Sequence, residues 1–341
     1  MGSVKDLLVR ESPTAEKPGV GRFIFSDRYS VFDWGEMPDH IAKKGQAICL
    51  VTAYFFEKLE AMGLKTHYLG VVEDGQAKRL KDLKAPSATL EIKLLRVIKP
   101  EVKGESYDYS IYKKETKNFL IPLEIIYRNS LPEGSSVFKR LKEGSIKFTD
   151  LGLDKMPEPG QILEKPIYDV STKLEVTDRY ITWEEAKSIC QLSDQELREM
   201  KEIVAFINDL ITKETKKLGL FNEDGKIELG FDENRKFILV DALGTLDECR
   251  FTYDGLPVSK EIARIYYRQT EWFKEVEEAK KKDRLNWKSV VKSQPPKLPP
   301  NLYETISQIY QAYTNEITGQ NWFDVASLHK ILENLKKIAQ S

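Results

Sequence analysis

The chain has 341 residues, of which 41% are hydrophobic, and this is enough apolar material for a sizeable core and about two domains. Lysine and arginine number 53 against 54 acidic residues, so the net charge of −1 gives no electrostatic basis for nucleic acid or an anionic membrane as the main partner. No apolar run approaches the ~20 residues of a membrane-spanning helix, and the amino terminus lacks the apolar stretch of a secretory signal.

The first third of the chain predicts a mixed α+β fold. Segment 20–25 has the composition of a strand, and apolar residues recur at helical spacing over 48–62, which predicts an amphipathic helix. Strand-like runs follow at 68–72 and 89–97. The polar, tyrosine-bearing segment 100–117 is predicted to be an insertion or an exposed hairpin.

The middle of the chain contains the strongest strand candidate. Segment 119–128 is almost continuously apolar, which is typical of a strand buried on both faces, and Pro122 predicts an irregularity within it. The proline-bearing segment 157–166 is predicted to be a connection. Thr182 and Ser193 each have a glutamate three positions later, and this capping-box pattern predicts the start of a helix at both.

The last third predicts a hairpin followed by helices. Segments 226–231 and 236–240 read as two strands joined by a tight polar turn. Helical patterns then cover 259–282 and, after a proline-rich linker, 302–317 and 325–339.

The predicted hairpin carries the first group of residues that could perform chemistry. Lys226 and Glu228 share one face because strand side chains alternate, and the antiparallel return strand brings Asp241 beside them. Buried carboxylates need partners, and a Mg²⁺ ion shared with a polyphosphate would satisfy them while the lysine contacts phosphoryl oxygens. A solvated hairpin with an incidental salt bridge is the alternative.

A second group lies on the strand candidate and the turn that follows it. Glu124 and Arg128 share a face, and the glycine-serine turn at 132–136 offers backbone N–H groups and hydroxyls to an anion that Arg128 can bind. An ion pair on an edge strand is the alternative. Segment 241–251, with two further acidic residues and Arg250, is typical of a ligand-facing rim.

The cysteines and histidines limit the possible chemistry. Three isolated cysteines fit a reducing cytosol, which predicts a cytoplasmic protein, and Cys249 is interpreted as a small packing residue. Three scattered histidines disfavour a zinc site or a Ser-His-Asp triad. Chemistry in this chain is therefore expected to use carboxylates, lysines, arginines and bound ions.

Taken in order, these motifs resemble the family of phosphoribosylaminoimidazole-succinocarboxamide synthase, or SAICAR synthase, of purine biosynthesis. The most specific match runs from Pro122 to Asn129, continues through Gly134-Ser135 and ends at Lys139-Arg140; further matches lie at 224–230 and 26–33. The chain departs from the family pattern at Ser3, where the family has a lysine, and at Ala242, where it has a glutamate.

The resemblance implies an ATP-dependent ligase that joins L-aspartate to the carboxylate of carboxyaminoimidazole ribonucleotide (CAIR). ATP would first convert this carboxylate, a poor electrophile, into an acyl phosphate that the aspartate amine attacks, releasing ADP and phosphate. The implied fold is the ATP-grasp-like SAICAR synthase fold of the α+β class. A small amino-terminal domain (1–118) would cover ATP, above a larger domain (119–341) with a helical extension from about 295.

The resemblance also implies individual residue roles. Catalysis is expected from Lys226, Asp224 and Arg250. ATP would be bound by Lys5, Lys226 and Glu124, and Mg²⁺ by Glu228 and Asp241. CAIR would be bound by Arg128, Ser135, Arg250 and Asp224. Lys44, Lys173 and Asp178 would lie near the substrates in the aspartate region.

Two other functions remain open from the sequence. One is a related kinase that stops after phosphoryl transfer to a small polyol, and the other is a non-catalytic nucleotide-binding regulator. The expected partners are small molecules, with no nucleic acid and no membrane, and a homo-oligomer is possible.

Overall fold

The computed structural model describes residues 4–104, 106–113, 117–283 and 286–340, so Ser3 lies outside the described residues. Within them the strands form a five-stranded sheet, an eight-stranded sheet and a separate two-stranded hairpin, and helices pack around the two larger sheets. The α+β class predicted from the sequence is confirmed.

The first sheet contains the amino-terminal strands and is antiparallel, with the strand order β1-β2-β5-β3-β4. The elements of this region are β1 (Lys5–Glu11), β2 (Gly19–Phe25), α1 (Lys44–Ala61), β3 (Tyr68–Glu73), β4 (Gln76–Lys78) and β5 (Thr89–Leu94). Helix α1 is buried along most of its length because it packs between this sheet and a carboxy-terminal helix. The predicted helix and strands of this region are confirmed, whereas β1 was not predicted.

The polar insertion forms a short hairpin of β6 (Glu101–Lys103) and β7 (Ser106–Asp108), as one of the two sequence interpretations expected. The strand candidate that follows is divided into β8 (Phe119–Leu120) and β9 (Leu123–Leu131). The division falls at Pro122, which has no N–H group to donate to a neighbouring strand.

The next elements extend the second sheet and begin the helical layer. They are α2 (Ser136–Lys142), β10 (Gln161–Thr172), β11 (Tyr180–Ile181), α3 (Trp183–Cys190) and α4 (Asp194–Lys216). The prediction that 157–166 is a connection is wrong from Gln161 onwards, because β10 includes Pro166. The sheet tolerates this proline at a register shift between Ile162 and Ile167. The hydroxyls of Thr182 and Ser193 cap α3 and α4, as predicted.

The second sheet is completed by β12 (Phe221–Phe231), β13 (Phe237–Val240), β14 (Cys249–Tyr253) and β15 (Leu256–Pro257). Its order is β11-β10-β9-β12-β14-β15, and β8 and β13 also pair with β12. The predicted hairpin is confirmed as β12 and β13, although β12 begins earlier than expected. This long strand is the central element of the site described below.

Helices form the rest of the chain: α5 (Glu261–Arg268), α6 (Glu271–Lys282), α7 (Trp287–Val290), α8 (Pro300–Thr318) and α9 (Leu328–Gln340). The prediction of one helix over 259–282 is wrong, because the helix stops after Arg268 and the Thr270 hydroxyl caps a new one. The predicted helices that correspond to α8 and α9 are confirmed. None of the helices in the described ranges is long and apolar enough to cross a membrane.

The two larger sheets are joined by isolated bridges between Thr66 and Leu239 and between Arg96 and Phe119. One hydrophobic core runs through both sheets and helices α1, α4 and α8. A smaller second core packs under α2. The domain boundary expected near residue 118 falls between β7 and β8 and stays a prediction.

Candidate functional site

Two adjoining cavities lie along β12. The first cavity, of about 800 Å³, lies between the two larger sheets, and the second cavity, of about 440 Å³, lies over the second sheet. The two share wall residues Lys226, Asp247, Glu248 and Lys260. Groups bound in the two cavities could therefore meet at this shared wall.

The alternation of side chains along β12 produces this arrangement. Asp224, Lys226 and Glu228 lie on one face of the strand and line the cavities, as the sequence predicted for the lysine and the glutamate. Ile227 and Leu229 lie on the opposite face and are buried in the core. Lys226 lines both cavities, whereas Glu228 lines only the first and Asp224 only the second.

The β12–β13 hairpin brings Asp241 to the first cavity. Glu228 pairs with Val240 across the hairpin, and the next residue, Asp241, has a left-handed backbone with a φ of 70°. Asp241 forms an ion pair with Lys5, and Glu228 forms one with Lys173. The expected carboxylate pair thus lines one cavity, with a lysine neutralising each carboxylate.

Lys226 is surrounded by carboxylates. Its Nζ lies 2.9 Å from Oε1 of Glu124 and 3.7 Å from Oε2 of Glu248. Burial disfavours the charged ammonium group, but the negative charges of Glu248, Glu124 and Glu228 outweigh it and raise the pKa of Lys226. The side chain therefore stays protonated and presents a fixed positive charge to both cavities.

The remainder of the first cavity combines an apolar wall with a weakly solvated lysine. The apolar wall is formed by Leu7, Val9, Phe23, Ile92, Leu94 and Leu120. Burial lowers the pKa of Lys5, despite nearby negative charges. Burial and the charge of Lys5 together lower the pKa of His67 to about 3, so this ring is neutral and its Nε2 lies 3.2 Å from the carbonyl oxygen of Asp241.

Arg128 is the central cation of the second cavity and is almost fully buried. Its guanidinium group donates to the hydroxyls of Ser136 at 3.1 Å and Tyr180 at 3.2 Å. It also lies 3.5 Å from a carboxylate oxygen of Asp169 and 3.5 Å from one of Asp224. Its Nε is buried and has no hydrogen-bond partner among the described residues.

Arg250 lies on the same wall. Its Nε donates to Oδ1 of Asp224 at 2.8 Å and its Nη2 donates to Oδ2, so the pair is bidentate. Burial disfavours the charged guanidinium group, but the negative charge of Asp224 and its hydrogen bond outweigh this effect and raise the pKa of Arg250. A Cβ atom at Gly134 would lie 3.9 Å from Nη1 of Arg250 and 3.5 Å from Nη2 of Arg268, so the backbone of this turn lies next to two guanidinium groups.

The structure places Ser135 and Lys44 away from the cavity walls. The Ser135 hydroxyl caps α2 by accepting from the Val137 N–H, and it also accepts from Arg128. Its neighbour Ser136 lines the second cavity instead. Lys44 has no exposed side-chain surface and donates to Oδ2 of Asp247 at 2.6 Å, so it lies behind the shared wall and the geometry does not support direct contact with a substrate.

The remaining predicted residues are divided between the cavities. Glu124 lines the second cavity, although the resemblance implied contact with ATP, and its carboxylate faces Lys226. Lys173 lines the first cavity and Asp178 the second. Asp178 is exposed at the rim of the cavity, but partial removal from water and then the charge of Glu124 raise its pKa to about 6.

Several wall residues were not assigned from the sequence. They are Ser136, Tyr180, Glu248, Lys260 and Arg264. The spacing of Lys260 and Arg264, four residues apart at the start of a helix, is a signal that could have placed them on one face. No spacing in the sequence indicates the position of Tyr180, because it lies on the separate strand β11 and reaches the cavity only through the pairing of the sheet.

Comparisons with known proteins identify the family of this chain. A family model described as SAICAR synthetase matches residues 8–283. A protein of Archaeoglobus fulgidus, provisionally named phosphoribosylaminoimidazole-succinocarboxamide synthase, is 52% identical over 340 residues, which cover 100% of this chain and 100% of that protein.

Two solved structures share the fold. A SAICAR synthetase in complex with ADP aligns with a TM-score of 0.59 and 21% identity over 94% of this chain and 97% of its own. The SAICAR synthase of Saccharomyces cerevisiae, in complex with SAICAR, aligns with a TM-score of 0.64 and 20% identity over 95% of each chain. Together with the family match over residues 8–283, these findings show that the chain belongs to the SAICAR synthetase family, the ATP-dependent ligases of purine biosynthesis.

Proposed function

We propose that the two cavities divide the substrates of this ligation, with ATP in the first cavity and CAIR in the second. The reaction joins L-aspartate to the carboxylate of CAIR and converts ATP into ADP and phosphate. The observation that carries the proposal is the shared wall, where the protonated Lys226 faces both cavities. A phosphoryl group leaving one cavity would meet a carboxylate bound in the other at this point.

The first cavity has the properties that a nucleoside triphosphate requires. Its apolar wall, formed largely by β1, β2 and β5, can cover a base, and Lys5, Lys173 and Lys226 line the same cavity. Lysine ammonium groups bind phosphate oxygens as point charges. The ADP in the solved SAICAR synthetase supports a nucleotide in this fold.

Glu228 and Asp241 fit the requirements of a Mg²⁺ site that is shared with ATP. Mg²⁺ prefers oxygen ligands and usually takes only one or two carboxylates from a protein, completing its shell with phosphates and water. Within the described ranges no group of three or more His, Cys, Asp or Glu residues is placed to hold a metal. When bound, the ion would neutralise charge on the transferring phosphoryl group.

The second cavity suits a ribonucleotide phosphate. Arg128 and Arg250 present guanidinium groups beside the backbone of Gly134, and Ser136 adds a hydroxyl. Guanidinium groups bind phosphate in a bidentate geometry. Asp224 lies between the two arginines and holds both in place.

The chemistry then proceeds at the shared wall. The CAIR carboxylate attacks the γ-phosphorus of ATP beside Lys226, which forms an acyl phosphate and releases ADP. The amine of L-aspartate, bound near Lys173 and Asp178, attacks the acyl carbon, and phosphate leaves. Phosphoryl transfer of this kind depends on positioning and charge neutralisation rather than on a protein nucleophile.

A coupled ADP-release assay tests this proposal. Purified protein is supplied with ATP, Mg²⁺, CAIR and L-aspartate, each substrate is then omitted in turn, and SAICAR is detected by mass spectrometry. We expect sustained ADP release and SAICAR only in the complete mixture. Sustained ADP release with a polyol in place of CAIR, and no requirement for L-aspartate, would identify a kinase instead.

The alternatives considered from the sequence are not favoured by the comparisons, since the family match and the solved structures are SAICAR synthetases. The cytoplasmic location expected from the isolated cysteines stays a prediction, as does the homo-oligomer.

A further inference from the structure

Asp247 occupies a special position on the shared wall. It lines both cavities, yet only 7% of its side chain is exposed. Each carboxylate oxygen accepts a hydrogen bond from a different part of the chain: Lys44 Nζ donates to Oδ2 at 2.6 Å, and the Tyr310 hydroxyl donates to Oδ1 at 2.5 Å. The carboxylate is therefore fixed in rotation, while its other lone pairs stay available to a ligand.

The charge of this carboxylate is fixed as well. Burial alone would raise its pKa, but the positive charges of Lys44 and Lys260 and the hydrogen bonds from Lys44 and Tyr310 lower the pKa of Asp247 to about 2. Asp247 is thus a hydrogen-bond acceptor at any physiological pH.

Tyr310 belongs to α8, and this helix contacts both segments that bring Asp247 and Lys44 together. The Ser307 hydroxyl donates to the carbonyl oxygen of Ala42 at 2.9 Å, just before Lys44. The Tyr313 hydroxyl donates to the carbonyl oxygen of Gly244 at 2.7 Å, just before Asp247. Helix α8 lies beyond residues 8–283, where the family model ends.

We propose that Tyr310 is a positioning residue for the ligation, which acts from the carboxy-terminal helix by orienting the Asp247 carboxylate at the boundary of the two cavities. The inference rests on the proposed function of those cavities. An oriented carboxylate can accept hydrogen bonds from the amino and hydroxyl groups of CAIR. The phosphate end of ATP offers no such donors, and L-aspartate is placed near Lys173 and Asp178, so the effect of Tyr310 falls on CAIR.

The test compares Tyr310→Phe with Tyr313→Phe in the full chain. Both tyrosines are buried on the same helix and donate one hydrogen bond, but only Tyr310 donates to Asp247. We expect Tyr310→Phe to lower kcat/KM for CAIR about tenfold, the usual effect of losing a hydrogen bond to a charged group, while KM for ATP stays within about twofold of wild type. Tyr313→Phe should leave kcat/KM for CAIR within about twofold of wild type.

Both variants are assayed at a temperature at which circular dichroism shows them fully folded, so that a stability loss does not mimic the effect. The inference is overturned if Tyr310→Phe matches wild type, or if both variants lower the parameters for ATP and CAIR alike. Absence of SAICAR formation by the wild-type protein would instead overturn the proposed function, so the two failures are distinguishable.

Discussion

The two cavities are lined by different kinds of cation. In the first cavity, lysines form ion pairs with carboxylates, as Lys5 does with Asp241 and Lys173 with Glu228. In the second cavity the cations are arginines, and Asp224 fixes the guanidinium group of Arg250 through a bidentate pair of hydrogen bonds. An ammonium group is a compact charge on a flexible stem, whereas a guanidinium group is planar and presents several donors at once.

This difference indicates how each cavity is suited to its ligand. The lysine–carboxylate pairs of the first cavity can separate when a metal ion takes the carboxylates and a polyphosphate takes the lysines. The guanidinium groups of the second cavity are already oriented, which would suit the CAIR phosphate that we propose is bound there through both chemical steps. Substitutions in one cavity should therefore affect one substrate, and substitutions on the shared wall should affect both.

The largest effect is expected at the shared wall. Lys226→Ala removes the positive charge that faces both cavities, and we expect kcat to fall by at least about 10³-fold, as for other cations that stabilise a transferring phosphoryl group. The exposed Lys187, which pairs with Asp194 on the surface, provides the matched control Lys187→Ala. Wild-type turnover by Lys226→Ala in the ADP-release assay would remove the assignment of the phosphoryl site.

A somewhat smaller effect, confined to the first cavity, is expected from Asp241→Asn. The substitution removes one of the two carboxylates assigned to Mg²⁺, so we expect kcat to fall about 100-fold and the Mg²⁺ concentration for half-maximal rate to rise. KM for CAIR should stay within about twofold of wild type. Asp254→Asn, at an exposed carboxylate that pairs with Lys336, is the control; an unchanged Mg²⁺ dependence in Asp241→Asn would contradict the metal assignment.

Arg250→Lys tests the second cavity alone. It keeps the charge but loses the bidentate fork, and we expect KM for CAIR to rise about tenfold while KM for ATP is unchanged. The exposed Arg179 gives the control Arg179→Lys. Equal changes in KM for ATP and KM for CAIR would contradict the assignment of CAIR to the second cavity alone.

The smallest effect concerns pH. Because partial removal from water and the charge of Glu124 raise the pKa of Asp178 to about 6, this carboxyl is neutral below that pH and charged above it. If it contacts the ammonium group of L-aspartate, KM for L-aspartate should fall a few-fold as the pH rises from about 5 to about 7.5. Asp178→Asn should abolish this dependence without changing the pH profile of KM for ATP, and a retained dependence would move the aspartate site elsewhere.

The sequence was sufficient to predict side-chain positions where local periodicity determines the geometry. Alternation along β12 places Lys226 and Glu228 on one face, and the tight turn brings Asp241 back beside them, so this part of the site could be predicted. The sequence could not predict positions where a hydroxyl or an ammonium group bonds to another part of the protein instead of facing a cavity. Ser135 caps α2, and Lys44 is buried against Asp247, a residue far along the chain.

Long-range packing explains why the contact of Tyr310 could not be predicted. Tyr310 reaches Asp247 only because α8 packs on α1, and no local pattern in either segment specifies that contact. The division of the predicted helix at Thr270 is a local event, since its hydroxyl caps the new helix in place of a continuing backbone bond.

A crystal structure with a non-hydrolysable ATP analogue, Mg²⁺ and CAIR would show directly which ligand each cavity binds. We expect the base of the analogue against Leu94 and Leu120, the CAIR phosphate on Arg128 and Arg250, and the γ-phosphate and the CAIR carboxylate both in contact with Lys226. Nucleotide in the second cavity, or two ligands that approach each other away from Lys226, would contradict this expectation.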